Sequence, residues 1–218
     1  MYGLVDGSKM APQSHMLHEC SCRCVNAAKA GDLQFLYSAP LTNRFLREAS
    51  RKAAAGGYLA VFQWLLDQGR HLHFLNACVA AARNGHLAVL QYAHQQDRSL
   101  AGYWGLSICN AAAQEGHLAV LQWAWEQGCH WNEDTCAAAA RNRHLAMLRW
   151  ARHQGCAWDS STCSAAACEG HLAVLQFARQ NGCQWDPRAC SLAARRGNLS
   201  ICEVAAPAWL PVGWLDKC

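Results

Sequence analysis

The sequence predicts an all-α fold, a solenoid of about seven helix-turn-helix repeats, and two observations carry this prediction. A Gly-x-Leu step recurs every 26 to 31 residues along nearly the whole chain. On each side of a step lies a short segment with helical composition or helical spacing of apolar residues. A period of this size is typical of arrays in which each repeat buries its apolar face against its neighbours. The seven steps begin at Gly31, Gly57, Gly85, Gly116, Arg143, Gly170 and Gly197.

The first helix of a repeat is predicted from its cap and its alanines. In DSSTCSAAACEG, residues 159–170, Asp159 or Ser160 can accept a backbone N–H bond at the helix N-terminus. The alanines that follow favour helix. Gly170 then supplies the left-handed turn that ends the helix.

The second helix is predicted from the spacing of its apolar residues. In HLAVLQFARQNG, residues 171–182, a stripe of Leu172, Leu175 and Ala178 lies on one face of a helix. The glycine at the end of this segment is a helix stop signal. Helix, Gly turn, helix, Gly turn is therefore the predicted repeat.

The repeat resembles the ankyrin repeat. AARNGHLAVLQYA (residues 81–93) and AAQEGHLAVLQWA (residues 112–124) look like the centre of that family's pattern, in which paired alanines precede Gly-His and an apolar helix. The resemblance covers about residues 22–204. It implies binding of a protein partner without catalysis.

The repeats differ from the ankyrin pattern in length. Most have 27 residues, whereas the ankyrin repeat has 33. The missing residues follow Asp186, where ankyrin repeats place a projecting β-hairpin. The linking segment GCQWDPRAC, residues 182–190, is too short for a pair of strands. The chain therefore resembles a short-finger variant of the family, of the kind found in algae, oomycetes and large DNA viruses.

Composition and motifs exclude several classes of function. The net charge of +4 comes from interleaved basic and acidic residues, which disfavours a nucleic-acid partner. Apolar runs such as residues 77–82 are far shorter than the ~20 residues that cross a bilayer. The sequence has no Gly-rich phosphate loop, Gly-x-Ser-x-Gly elbow or His-Glu-x-x-His pair. We therefore expect no catalytic residue, cofactor, metal, small-molecule substrate or membrane association.

The first fifteen residues lack the features of a signal peptide, so we expect an intracellular protein, cytoplasmic or nuclear. In a reducing compartment the fourteen cysteines should be mainly thiols. Core packing explains one set, which occupies a buried Leu position of the ankyrin pattern once per repeat. That set is Cys24, Cys78, Cys109, Cys136, Cys163 and Cys190, with Ser50 in the remaining repeat.

A second set of cysteines follows the glycine that ends the second helix, at Cys129, Cys156 and Cys183. Each lies seven residues before a cysteine of the first set, which is wider than the spacing of zinc knuckles. A ladder of thiols in stacked repeats stays open. The histidines after the turn residue are expected to satisfy backbone groups of the turn through a ring nitrogen. They are His86, His117, His144 and His171.

Soft ligands are concentrated near the N-terminus, at His15, His18, Cys20, Cys22 and Cys24. Their spacing could hold Zn²⁺ or Cu(I). The sequence leaves a metal open here. The alternative function is therefore a thiol-rich metal-binding or redox-buffering protein.

Aromatic residues fall into three groups. The aromatic residues that lie seven positions after the turn are expected in the core, and they are Trp64, Tyr92, Trp123, Trp150 and Phe177. Trp131, Trp158 and Trp185 are expected to cover the seam between adjacent repeats. Trp104 lies in a stretch that lengthens one repeat, which we predict to be a loop used for binding or local packing.

The predicted recognition surface lies on the concave face, where the residues just before each turn vary between repeats. Its basic bias suggests a partner with an acidic surface. The predicted partner-binding residues are Lys29, Arg51, Lys52, Arg83, Asn84, Trp104, Gln114, Glu115, Arg141, Asn142, Glu169, Arg195 and Arg196.

The sequence thus predicts a non-enzymatic protein-interaction scaffold or adaptor, and we expect a monomer. Residues 1–20 form an N-terminal extension, residues 21–204 the repeat array, and residues 205–218 a C-terminal cap or tail.

Overall fold

The computed structural model describes residues 26, 43–68, 75–96, 101–186, 188–198 and 200–201, and this part of the chain contains helices and loops but no strand. The predicted all-α fold is confirmed. The repeat around Gly31 and the terminal segments 1–20 and 205–218 lie outside these residues. The described helices are α1 Asn43–Ala55, α2 Leu59–Gln68, α3 Leu75–Arg83, α4 Leu87–Gln96, α5 Ala101–Glu115, α6 Leu118–Glu126, α7 Glu133–Arg141, α8 Leu145–His153, α9 Ser160–Cys168, α10 Leu172–Gln180 and α11 Arg188–Arg195.

The chain divides into two compact units. The first comprises the described residues up to 81 together with 88–93. In this unit α1 packs against α2, and Leu46, Phe62 and Leu65 are buried. The second comprises residues 82–87 and the described residues from 94 onwards.

In the second compact unit, the first helices of successive repeats lie side by side. Helix α7 packs between α5 and α9, and α11 packs against α9. Alanines at the contacts allow this close approach, because a methyl group keeps neighbouring helix axes near the short end of the usual spacing. Fully buried examples are Ala112, Ala113, Ala140, Ala166 and Ala167.

Helices α7 and α9 begin at side-chain caps. Asp159 Oδ1 accepts the Ser161 backbone N–H at 2.9 Å, and Asn132 Oδ1 accepts that of Asp134 at 3.1 Å. Of the two predicted candidates, Asp159 and Ser160, Asp159 is therefore the cap of α9. These bonds satisfy N–H groups that have no partner within the helix.

The turn between the two helices has a left-handed backbone. Its glycine has φ of 75° at Gly85, 82° at Gly116 and 78° at Gly170. In the repeat without glycine, Arg143 adopts the same conformation with φ of 65°. A residue with a Cβ is sterically disfavoured in this region, whereas glycine is not.

The structure corrects the predicted loop around Trp104. Residues 101–105 are the first turns of α5, which is longer than the other described first helices. Gly105 permits this extension, because a Cβ there would lie 2.7 Å from the His130 backbone nitrogen. Because glycine has no side chain, α5 can lie against the segment that contains His130. The Trp104 side chain itself lies outside the described set, so its predicted role in binding is untested.

The aromatic residues seven places after the turn are half-buried, so their prediction as core residues was wrong. The fully buried positions of the second helices are instead Val174, Leu175 and Ala178 and their equivalents. The half-buried aromatics are Trp64, Tyr92, Trp123, Trp150 and Phe177.

Replacing Arg143 with glycine should stabilise the protein. The change removes an L-residue from the left-handed region, where its steric cost is about 1–2 kcal/mol. Part of this stabilisation is lost, because glycine gives the unfolded chain greater conformational freedom. We expect a net increase of about 1 kcal/mol in the free energy of unfolding, measured by urea titration.

The neighbouring Asn142→Gly substitution provides the control, because Asn142 has φ of −105° and glycine relieves nothing there. We expect Asn142→Gly to lower stability. Equal effects of the two substitutions would show that the left-handed backbone at Arg143 is not a source of strain.

Candidate functional site

A ladder of hydrogen bonds joins the turns of successive repeats in the second compact unit. Each bond runs from the residue after a turn to the backbone carbonyl two places before the preceding turn. Because the carbonyl only accepts, the histidine Nε2 must carry the proton and donate. The bonds are His117 Nε2 to Arg83 O at 2.9 Å, His144 Nε2 to Gln114 O at 3.1 Å, His171 Nε2 to Arg141 O at 2.9 Å and Asn198 Nδ2 to Cys168 O at 2.9 Å.

The prediction is confirmed and sharpened for three of the four histidines that follow a turn. His117, His144 and His171 do satisfy turn backbone groups through a ring nitrogen. The acceptor, however, belongs to the preceding repeat rather than to the histidine's own turn. The bond therefore fixes the register of one repeat on the next.

The turn glycines make room for this ladder. A Cβ on Gly85 would lie 2.7 Å from His117 Nδ1, and one on Gly116 would lie 2.6 Å from the His144 ring. At these two positions glycine is thus favoured both by its positive φ and by the ring that covers it, while Arg143 takes the equivalent position beneath the bond from His171. Gly128 and Gly155, which end second helices, also have positive φ but face open space.

The ladder places the variable residues of successive repeats along one edge, which we call the recognition edge. Three of the accepting carbonyls belong to Arg83, Gln114 and Arg141, so these residues occur in register. All members are exposed except Glu169, which is half-exposed. The members are Arg83, Asn84, Gln114, Glu115, Arg141, Asn142, Glu169, Arg195 and Arg196.

The recognition edge is basic. It carries arginines at 83, 141, 195 and 196 and glutamates at 115 and 169. Arg196 Nη1 donates to Glu169 Oε1 across two repeats. This pairing neutralises one charge of each sign, so the excess of exposed positive charge remains.

The other predicted binding residues are placed differently. Arg51 and Lys52 lie on α1 in the first compact unit, where Glu48 Oε1 is 2.7 Å from Arg51 Nη2 and 3.9 Å from Lys52 Nζ. The hydrogen bond to Glu48 raises the pKa of Arg51 above its usual value. Lys29 lies outside the described residues.

A solvent-open depression of about 360 Å³ lies beside Arg143 and His171. Its remaining lining runs along the start of α10 and ends at Gln176. Among the described residues of this lining, Arg143 and His171 are the ionisable side chains.

The described cysteines of both sets are buried, which confirms the core prediction for Cys78, Cys109, Cys136, Cys163 and Cys190, while Cys24 lies outside the described residues. The structure also brings the two sets together within a repeat. Cys136 Sγ donates a hydrogen bond to Cys156 Sγ at 3.3 Å. Cys163 and Cys183 occupy the equivalent positions one repeat later, where Cys183 Sγ donates to the Asp159 carbonyl oxygen at 3.1 Å. The contact between Cys136 and Cys156 lies within one repeat, so the ladder between stacked repeats that the sequence left open stays a prediction.

Burial and pairing set the acidity of these thiols. Burial raises the pKa of Cys109 to about 12 and also raises the pKa of Cys78. Within a pair the donor and the acceptor differ. The hydrogen bond from Cys136 lowers the pKa of Cys156, and the same bond together with burial raises the pKa of Cys136.

Among the described residues, no three or more His, Cys, Asp or Glu side chains converge in a way that could hold a metal ion. The N-terminal ligands His15, His18, Cys20 and Cys22 lie outside those residues, so that part of the prediction is untested. No described helix is long and apolar enough to span a bilayer.

Trp131 and Trp158 cover the seams between repeats, as predicted, whereas the Trp185 ring contacts Arg179 of its own repeat. Trp131 stacks on Trp125 of α6 with a centroid distance of 4.4 Å and meets Trp150 of α8 edge-on at 5.4 Å. Trp158 meets Phe177 of α10 at 6.1 Å, and the Arg152 guanidinium lies 4.1 Å from the Trp158 ring centroid. These rings bridge adjacent repeats along the linking segments.

Comparison with solved structures shows the fold. The chain is similar to the human ASB11 ankyrin repeat domain, with a TM-score of 0.56 and 15% identity over 72% of this chain and 83% of that one. Its fold is accordingly an all-α array of ankyrin-like repeats. Whether the short linking segments make it a short-finger variant stays a prediction.

Weaker similarities involve the maize pentatricopeptide repeat protein PPR10. One of its structures aligns with a TM-score of 0.37 and 16% identity, over 93% of this chain and 36% of that one. Its complex with an 18-nt psaJ RNA element aligns with a TM-score of 0.35. Scores this low do not indicate a shared fold. No protein-family model and no curated protein sequence matches the chain.

Gly116→Ala should destabilise the protein more than Gly128→Ala. Both residues have positive φ, so both substitutions carry the left-handed penalty of about 1–2 kcal/mol. Only at Gly116 would the new methyl group collide with the His144 ring. We expect Gly116→Ala to cost at least about 1 kcal/mol more in urea-induced unfolding.

Gly128→Ala is itself the control for this experiment. Equal losses at the two glycines would contradict the assignment of the His144 ring to the space above Gly116.

The stability of the protein should fall as pH rises above about 9. The buried Cys109 thiol keeps its proton to about pH 12 in the folded chain, whereas the unfolded chain loses it near the ordinary value of 9.0. The unfolded state therefore binds fewer protons in this window, and stability present below pH 9 is lost as pH rises towards 12. Cys109 alone contributes a slope of up to about 1.4 kcal/mol per pH unit.

Urea titrations between pH 8 and pH 11 measure this slope, and Cys109→Ala should flatten it. Val120→Ala, which removes buried volume but no ionisable group, should lower stability at every pH without changing the slope. An unchanged slope in Cys109→Ala would contradict the protonated buried thiol.

Proposed function

We propose that this protein is a non-enzymatic interaction scaffold or adaptor that binds a protein partner along the recognition edge, on the face predicted to be concave. The observation that carries this proposal is the register of the variable side chains at positions 83, 114, 141 and 168. The ladder repeats the same backbone geometry at each of them, while their chemistry changes from repeat to repeat.

The fold supports this proposal. Ankyrin-like domains typically present side chains to protein partners and do not catalyse reactions, and the similarity to the ASB11 domain gives the fold. Binding needs only a rigid row of exposed side chains, which helices joined by short turns provide. The proposed partner therefore recognises side chains at the ends of the first helices, and the protein acts as a monomer.

Charge favours an acidic partner surface. Arg83, Arg141 and Arg195 are exposed and lie in separate repeats. Arginine is the preferred side chain for pairing with carboxylates at interfaces, because its planar group donates two parallel hydrogen bonds. A partner with acidic side chains at a matching spacing would thus meet one guanidinium in each of several repeats.

Thiol chemistry is the second candidate function. The direct contact between the Cys136 and Cys156 sulfur atoms is the observation that favours it. Its metal-binding form depends on the N-terminal cluster, and its redox form depends on the paired thiols. The scaffold remains the first proposal, because it accounts for the exposed edge as well as for the buried core.

The triple variant Arg83→Gln, Arg141→Gln and Arg195→Gln should lose the partner. Tagged full-length protein is used to capture partners from a lysate treated with nuclease, and the captured proteins are quantified by mass spectrometry. Each interfacial arginine contributes about 1–2 kcal/mol, so we expect at least a tenfold loss of the proteins that wild type captures.

A charge-matched control distinguishes the recognition edge from net charge. Arg149 and Arg179 lie on second helices of the same compact unit, and Arg188 lies at the start of α11, at the opposite end from Arg195. Their replacement with glutamine removes the same three charges. We expect this control to retain the partner. Equal capture by both triple variants would contradict binding of the partner at the recognition edge. Loss of capture on nuclease treatment alone would indicate a nucleic-acid partner.

A further inference from the structure

Two buried thiol pairs repeat in consecutive repeats of the second compact unit. Cys136 of α7 donates a hydrogen bond to Cys156, which follows α8, with 3.3 Å between the sulfur atoms. Cys163 of α9 and Cys183, which follows α10, occupy the equivalent positions one repeat later, and the interaction with Cys163 lowers the pKa of Cys183. The exposed fraction is 0% at Cys136, Cys156 and Cys163 and 3% at Cys183. Two consecutive repeats therefore bury a cysteine at the same two positions.

We propose that these pairs are oxidation sites, at which a hydroperoxide converts Cys136 with Cys156, and Cys163 with Cys183, into two reversible intrachain disulfides. The 3.3 Å separation has to shrink to the ~2.05 Å of an S–S bond. That is a shift of about 1.2 Å shared between two side chains. Each bridge would link a first helix to the segment that ends the same repeat.

The direction of the hydrogen bond assigns the roles of the two thiols. Cys156 accepts the S–H of Cys136, so its sulfur is the more electron-rich partner and the better stabilised thiolate. The positive charge of Arg152 acts in the same direction and lowers the pKa of Cys156. Arg152 is held nearby, because its Nη1 donates to the Cys156 carbonyl oxygen at 2.6 Å.

The chemistry balances with the hydroperoxide as the only co-reactant. The Cys156 sulfur attacks one peroxide oxygen, an S–O bond forms, the O–O bond breaks, and the other oxygen leaves as water or an alcohol. The Cys136 sulfur then attacks the resulting sulfenic acid, an S–S bond forms and the S–O bond breaks. The departing hydroxide takes the Cys136 proton and leaves as water. Two thiols are oxidised and one peroxide is reduced.

A hydroperoxide suits this burial better than a larger oxidant. Hydrogen peroxide is close to water in size, so a small local opening admits it to the sulfur atoms. A metal ion fits less well, because no third His, Cys, Asp or Glu converges on either pair in the described residues. Tetrahedral Zn²⁺ would lack its remaining ligands.

Oxidation of the reduced, full-length protein with hydrogen peroxide tests the proposal. After free thiols are alkylated, intact mass measurement should show the loss of two hydrogen atoms for each bridge. Peptide mapping should show Cys136 joined to Cys156 and Cys163 joined to Cys183. Dithiothreitol should reverse both bridges, and the oxidised protein should melt several degrees higher than the reduced protein.

Alanine variants of the acceptor thiols separate the two pairs. Cys156→Ala and Cys183→Ala remove only the sulfur atom from a small buried side chain, so both variants should fold. Cys156→Ala should retain only the bridge between Cys163 and Cys183, and Cys183→Ala only the other bridge. Cys78→Ala, which removes a buried thiol of the other compact unit, should retain both bridges.

Three outcomes would overturn the proposal. The first is a set of thiols that stays reduced until the protein is unfolded by denaturant. The second is oxidation of Cys156 and Cys183 to sulfinic acid without any S–S bond. The third is bridging between cysteines other than these two pairs in the folded protein.

Discussion

The hydrogen bond from a turn histidine to the end of the preceding first helix is the constraint on which the described second compact unit depends. It uses a carbonyl left unpaired by helix termination and a ring nitrogen that reaches it. At Gly85 and Gly116 the ring also occupies space that a Cβ would fill, whereas the bond from His171 forms across Arg143. A helix end always leaves such carbonyls, and the left-handed turn exposes them in the same direction in each repeat. The Gly-His step thus joins one repeat to the next as well as ending a helix.

Other features of the repeat follow from this register. First helices that lie side by side need alanine at their contacts, and the side chains at their C-terminal ends then project in an ordered row. At the opposite end of the repeat, tryptophan and cysteine fill the short linking segments. Trp131 closes the seam between α6 and α8, and Cys156 packs against Cys136. The packing explains both the exposed edge and the buried thiols.

Much of this arrangement could be predicted from the sequence, because several copies of one pattern support the same assignment of helices and turns. The period, the two helices, the Asp159 cap and the turn at Gly170 are local signals, and all were correct. The helical start of α5 was missed, since two glycines and a lengthened repeat usually indicate a loop. Only the contact of Gly105 with the His130 backbone explains the helix, and that contact is non-local.

Likewise, aromatic residues on an apolar helix face could be placed near the core, but their half-exposure depends on how neighbouring repeats stack. The pairing of Cys136 with Cys156 depends on the same stacking.

The most direct test of the central claim is a double-mutant cycle between Gly116 and His144. The free energy of unfolding is measured by urea titration for wild type, Gly116→Ala, His144→Ala and the double variant. If the His144 ring occupies the space above Gly116, alanine at 116 should cost less once the ring is gone, and the coupling energy should be about 1 kcal/mol or more. Strictly additive effects would contradict the ring's position and, with it, the ladder as the source of register.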